Sequence, residues 1–194
     1  MGQNFFGPRS PSETDGGQET RVQTRAHRGP PARDGVGDGG NIWGETHEFH
    51  FVYGRGEPPV RLEARIVDLD HVSEYSKAGL AVRGDSTENA PFGYVGVTGD
   101  HGPEVTWREA VDGFTGSDQF EGLAGIFEWF RVEYVDGVVT CSLSVDGEEW
   151  HLVDQRALDL GPSVALGLVV CSHSTDDTAE AVFEDVRAFE LDVN

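Results

Sequence analysis

Lys77 is the only lysine among 194 residues, and it lies six positions before Arg83 in the stretch SKAGLAVR, residues 76–83. In a strand, successive side chains point to opposite faces, so Lys77 and Arg83 share a face with Gly79 and Ala81, two residues too small to fill the space between them. His50 and His173 could join them in one polar patch that donates hydrogen bonds to sugar hydroxyls or to a carboxylate. Trp43 and Trp107 are candidate platforms on which a sugar ring would stack. The set Trp43, His50, Lys77, Arg83, Trp107 and His173 is therefore the candidate ligand-binding site. A structural reading competes with it and is slightly favoured: in a chain this rich in acids, the cations would pair with carboxylates on adjacent strands, such as Glu63 or Glu133. Core packing is likewise favoured for each tryptophan. Trp129 and Trp150, which bracket a pair of Asp-Gly turns, are expected in the core or under its rim.

Hydrolytic chemistry has less support. A retaining glycosidase needs two carboxyl groups about 5 to 5.5 Å apart, and an inverting one about 6.5 to 9.5 Å. No alternating Glu-x-Asp-x-Glu triplet places them on one side of a strand. Glu45 and Glu48, or Glu180 and Glu184, are wrongly separated or poorly flanked, which leans against an enzyme. His47, His50 and His173 lack companions at zinc spacing. Asp176 and Asp177 could ligate calcium through oxygen, but a solvated acidic loop accounts for them as well. No glycine-rich phosphate loop or GxSxG elbow occurs, so no cofactor and no metal is expected.

Thirty-five acids against 14 basic residues give a net charge of −21, which argues against nucleic acid and anionic membranes as partners. A lysine-poor, carboxylate-rich chain of ordinary apolar content suits concentrated salt, where the screening length falls to about 3 Å at 1 M. Residues 1–39 differ from the rest. Arg9, Arg21, Arg25, Arg28 and Arg33 balance Glu13, Asp15, Glu19, Asp34 and Asp38, so the whole −21 falls on residues 40–194. Rich in Gly, Pro, Ser and Gln, that first segment reads as a disordered N-terminal tail. No apolar run reaches the roughly 18 residues of a membrane helix, and no signal-peptide core is seen. The expectation is a soluble cytoplasmic protein, or an extracellular one if the N-terminus is misassigned. Cys141 and Cys171 sit in apolar runs and read as buried thiols, with a single bridge between neighbouring strands as the alternative.

The elements that must position these residues are strands. Phe49, Phe51 and Tyr53 alternate with Glu48, His50 and Val52, and Val60, Leu62, Ala64 and Ile66 alternate with Arg61, Glu63 and Arg65. Residues 76–83, 92–98 and 104–109 continue the series, and residues 110–125 read as loop. Asp136-Gly137 joins strands 129–135 and 138–145, and Asp146-Gly147 repeats the device before residues 150–153. Residues 164–171 are apolar on both faces, as in a central strand covered on both sides. Residues 179–193 close the domain with a strand expected to carry a bulge near Asp185. The fold class is all-β, an antiparallel two-sheet sandwich over residues 40–194.

GGNIWG, EFHFVY, SKAGLAVR, WFRVEYVDGVVTCSLSVDGEEW, VALGLVVCSHS and AVFEDV, in that order, resemble the regulation-of-enolase type of concanavalin A-like β-sandwich. The resemblance runs from about residue 40 to residue 186 and resembles an acidic, haloarchaeal-like version. It implies a jelly-roll architecture with a curved sheet whose concave face often holds carbohydrate. Similar proteins carry one or two strands before the NIWG-like motif, and residues 1–39 are not expected to supply them, which would leave a sheet edge open for a homodimer. Together these readings point to a non-catalytic carbohydrate-binding or related interaction module. A glycoside hydrolase-like enzyme of the same fold and a purely structural self-associating domain are the alternatives.

Overall fold

A computed structural model describes the backbone of residues 22–25 and all of residues 49–174 and 176–191. Among the described residues, twelve strands form two six-stranded sheets: β1 (Val22–Arg25), β2 (His50–Gly56), β3 (Val60–Leu69), β4 (Lys77–Arg83), β5 (Phe92–Thr98), β6 (Pro103–Arg108), β7 (Thr115–Gln119), β8 (Trp129–Val135), β9 (Val138–Ser144), β10 (His151–Ala157), β11 (Val164–Cys171) and β12 (Glu180–Glu190). One sheet has the order β1-β12-β3-β8-β9-β10 and the other β2-β11-β4-β5-β6-β7. Every pairing is antiparallel. The 3-10 turn Glu121–Leu123 is the helical element among the described residues.

Alternation builds the core between the sheets. Leu62 and Ala64 of β3, Phe130, Val132 and Tyr134 of β8, and Cys141 and Leu143 of β9 meet Ala78, Leu80 and Val82 of β4 and Leu166, Leu168 and Val170 of β11. The expected core face of SKAGLAVR is thus buried. Its opposite face is buried too, since all seven residues of β4 and all eight of β11 are inaccessible. Two covered faces explain why residues 164–171 are apolar throughout.

The Asp-Gly turns and the bulge fall as expected. Asp136 and Gly137 both have positive φ, 50° and 77°, and the register of β12 against β3 shifts between Glu184 and Arg187, with Asp185 at φ 51°. The second turn works differently. Gly147 has φ 78°, while the Asp146 carboxylate accepts the backbone N–H of Glu148 (2.8 Å) and of Glu149 (3.0 Å).

Several expectations need correction. β7 lies within the segment read as loop, held by pairing to β6. β1 is a strand inside the expected tail and pairs with β12 from Val22↔Phe183 to Arg25↔Glu180. The rest of that tail and residues 192–194 lie outside the described residues. Phe51 and Tyr53 stand opposite Val169 and Gly167 on the outer side of the second sheet, whereas His50 and Val52 stand opposite the core residues Val170 and Leu168. The aromatic side of β2 therefore serves the second face and not the main core. Trp129 alternates with the buried Phe130 and so lies on the outer face of the first sheet, where Arg187 sits 5.9 Å over its ring. Trp150 is packed 3.8 Å beneath the guanidinium of Arg131. Cys141 and Cys171 are free and buried, and they belong to separate apolar clusters. Burial pushes the Cys141 thiol well above its usual range.

Tyr94 fills the middle of the outer face of the second sheet, in a cluster with Ala81, Phe92, Val169 and Cys171. Tyr94 lies along the sheet across Gly79 and Gly96, with its hydroxyl donating to the Ala78 carbonyl at 3.1 Å. A methyl group at Gly79 would strike the Tyr94 ring and the Val95 carbonyl. Gly79→Ala is therefore expected to destabilise the protein by about 1 to 3 kcal/mol, as overpacking does. Gly122→Ala, where nothing lies within 4 Å of the added atom, is expected to be neutral. Urea unfolding of the two variants beside the parent checks this.

Candidate functional site

The five candidate residues that the structure describes, His50, Lys77, Arg83, Trp107 and His173, do not assemble into one patch. Lys77 and Arg83 occupy the same face of β4, as their spacing requires, but both are almost fully buried, at 4% and 2% exposure. The Lys77 ammonium pairs with the carboxylate of Glu104, itself 1% exposed. Glu104 stands opposite Gly96, so the pair reaches from β4 to β6 across β5 at a point where β5 has no side chain. The carboxylate partner is thus Glu104. Glu63 and Glu133 lie on the outer face of the other sheet, where the Glu63 carboxylate is ion-paired with Arg61 at 3.1 Å and with Arg131 at 2.7 Å, and Glu133 lies 3.9 Å from Arg61.

Arg83 and Arg108 flank the ring of Phe92 at 5.4 and 5.7 Å. Arg83 donates to the carbonyls of Asp85 (3.3 Å) and Thr87 (2.5 Å), and Arg108 to the carbonyl of Glu88 (2.9 Å) and the hydroxyl of Thr115 (3.3 Å). The two guanidiniums thereby fasten the loop at residues 85–88 to the sheet. Burial and, second, the neighbouring Arg108 charge hold the Arg83 guanidinium down to about 10, with Asp85 partly opposing them.

His50 lies on the opposite side of β2 from this face, across from Val170. His173 follows β11 in a left-handed conformation, φ 53°, with its ring tilted against Tyr75 at 5.3 Å. Tyr75 also stacks on His101 at 4.4 Å. Trp43 lies outside the described residues. Among the described residues no group of three His, Cys, Asp or Glu side chains could hold a metal ion, and no helix is long and apolar enough to cross a membrane.

Trp107 is the candidate that borders open space. It points to the inter-sheet side of β6 near the free edges β7 and β10 and packs partly on the core. Its indole lies against Gly116, where a methyl group could not fit, and the guanidinium of Arg156 sits over the ring at 3.2 Å. Arg156 is also within 3.0 Å of Asp154 and 3.4 Å of Asp118, so one side chain of β10 ties the first sheet to two strands of the second. The rim of the indole then opens on a cleft of about 450 Å³ lined by Trp107, Glu109, Ala110, Gly113, Phe114 and Gly116. Phe114 is 75% exposed. Glu109 and Phe114 were missed in the sequence because the segment after β6 has no periodicity. A lone phenylalanine set between Gly113 and Gly116 was the available signal.

Two facing antiparallel six-stranded sheets with this strand order define a concanavalin A-like β-sandwich. No protein-family model and no curated protein matches the sequence. Solved structures do resemble it. A functionally unknown protein from Saccharomyces cerevisiae superposes with a TM-score of 0.67 at 16% identity, over 88% of each chain. A legume lectin-like domain from Entamoeba histolytica gives 0.52 at 12% identity, over 88% of this chain and 90% of that one. Rv0315 of Mycobacterium tuberculosis, described as an immunostimulatory antigen and pseudo beta-1,3-glucanase, gives 0.53 at 15% identity, over 88% and 91%. At these identities the likeness is one of fold.

Removing one partner of a buried ion pair strands the other charge, at a cost of about 3 to 5 kcal/mol, whereas replacing both with apolar groups is often neutral. Lys77→Met is accordingly expected to destabilise strongly, and Lys77→Met with Glu104→Leu to recover most of the loss. A double-mutant cycle by chemical denaturation reads the difference.

Proposed function

We propose that the protein is a non-catalytic carbohydrate-binding module of concanavalin A-like fold, and that a sugar ring is taken in the cleft between Trp107 and Phe114. The observation that carries this reading is the cleft itself. Its volume lies in the range of small-ligand sites, about 300 to 1,000 Å³, and the residues that line it include two aromatics, Trp107 and Phe114, and one acid, Glu109. Phe114 offers a ring for the C–H face of a sugar, and Glu109 accepts hydrogen bonds from hydroxyls. A shared fold with a lectin-like domain and a pseudo-glucanase makes glycans the first ligands to test. Glycoside hydrolysis needs two carboxyl groups across the bond, and the cleft lining contributes one, so binding without turnover is the reading it supports. The order of the motifs on β4, β8, β9, β11 and β12 supports placing the chain with regulation-of-enolase type sandwiches.

A glycan array followed by calorimetry on any hit tests the proposal. Phe114→Ala is expected to weaken binding about tenfold, equivalent to about 1.4 kcal/mol, with no reducing ends released by the parent protein. Equal affinity of parent and variant for every bound glycan would sink the cleft assignment.

The acidic body supports a working environment of concentrated salt. In the same reading, raising ionic strength from about 0.1 M to about 1 M, which shortens the screening length from about 10 Å to about 3 Å, is expected to raise the melting temperature through relief of self-repulsion. A flat or falling melting curve against salt would remove that assignment.

A further inference from the structure

Resting on the reading that the cleft takes a sugar, we propose that its ligand is an amino sugar carrying a protonated amine, in preference to a neutral or acidic sugar. The residues that line the cleft include one acid, Glu109, and two aromatics, of which Phe114 is 75% exposed and Trp107 is covered by Arg156 and Gly116. An aromatic face beside a carboxylate is the arrangement that recognises an ammonium ion, through cation–π attraction and a charge-assisted hydrogen bond.

The surroundings point the same way. Two guanidiniums border the region and both are engaged: that of Arg156 sits over the Trp107 ring and pairs with Asp154 and Asp118, and that of Arg108 donates to the Glu88 carbonyl and the Thr115 hydroxyl. Asp112, in the loop that frames the cleft, accepts from Asn89 at 2.8 Å and adds a further negative charge. An arriving uronate or sulfated sugar would meet Glu109, Asp112 and a chain of net charge −21, with no cation in the lining to receive it. A neutral sugar would use the rings and one hydrogen bond. An amino sugar would use the exposed Phe114 ring, a stronger hydrogen bond and the local field together.

Calorimetry on the full chain with short glucosamine, N-acetylglucosamine, glucose and galacturonate oligosaccharides tests the assignment. The glucosamine oligomer is expected to bind about tenfold more tightly than its N-acetylated counterpart, because the charged donor is lost on acetylation, and the galacturonate oligomer is expected not to bind. Glu109→Gln should erase that preference, bringing the affinity for the glucosamine oligomer down to that for its N-acetylated counterpart. Glu57→Gln, which removes an exposed charge elsewhere, should not. Equal loss in both variants would reduce the effect to bulk attraction of a polycation and overturn the proposal, as would equal affinity for the free and acetylated amines. If neutral oligomers bind with sensitivity to Phe114→Ala but the amine adds nothing, the cleft reading stands and the amino-sugar assignment falls. If no oligomer binds, both fall.

Discussion

β4 is covered on both faces, and much of the molecule follows from that. A strand with no solvent side cannot hold a cation unless another group matches it, because an isolated buried charge is far costlier than a paired one. Lys77 meets this demand through Glu104, and Arg83 meets it through backbone carbonyls of the following loop. The same condition shapes the neighbouring strands. Gly79 and Gly96 leave the ledge on which Tyr94 lies, and Gly96 lets the ion pair pass over β5. What looked like an empty space between two cations is occupied by the ring of a tyrosine from the next strand.

The first sheet handles its charges in another manner. Arg61, Arg65, Arg131 and Arg187 stand on its outer face. Arg61 and Arg131 share the carboxylate of Glu63, and Arg65 is held by Glu128 and Glu184. Phe189, Trp150 and Trp129 each lie beneath one of these guanidiniums. Arginine suits this role better than lysine, since its planar fork binds a carboxylate and stacks on a ring at once. A preference for arginine over lysine thus has a structural use here, beyond the salt environment that the composition suggests.

Strand existence was legible wherever apolar residues alternated, and the Asp136-Gly137 turn and the Asp185 bulge were legible from residue type. Side assignment was harder. In and just before β2, Phe49, Phe51 and Tyr53 look like the buried set, yet the second sheet has two apolar faces and alternation alone does not say which of them β2 serves. The double-sided apolar run at residues 164–171 held the answer, because its neighbour must share both environments. β7 was invisible since Thr115–Gln119 has no apolar residue, and what makes it a strand is its partner β6. The cleft could not be read in advance, as it depends on Arg156 arriving from the other sheet to seat an indole on a glycine.

β10 is an exposed edge strand, and its register against β9 slips between Leu152 and Asp154. In dilute buffer a charge of −21 opposes the approach of two copies. In concentrated salt that repulsion fades within a few ångströms, about 3 Å at 1 M, and an open ladder of unpaired backbone groups becomes a template for another chain. The irregular backbone of β10 presents such a chain with a broken ladder, so protection against edge-to-edge stacking resides there in shape and persists when charge is screened away.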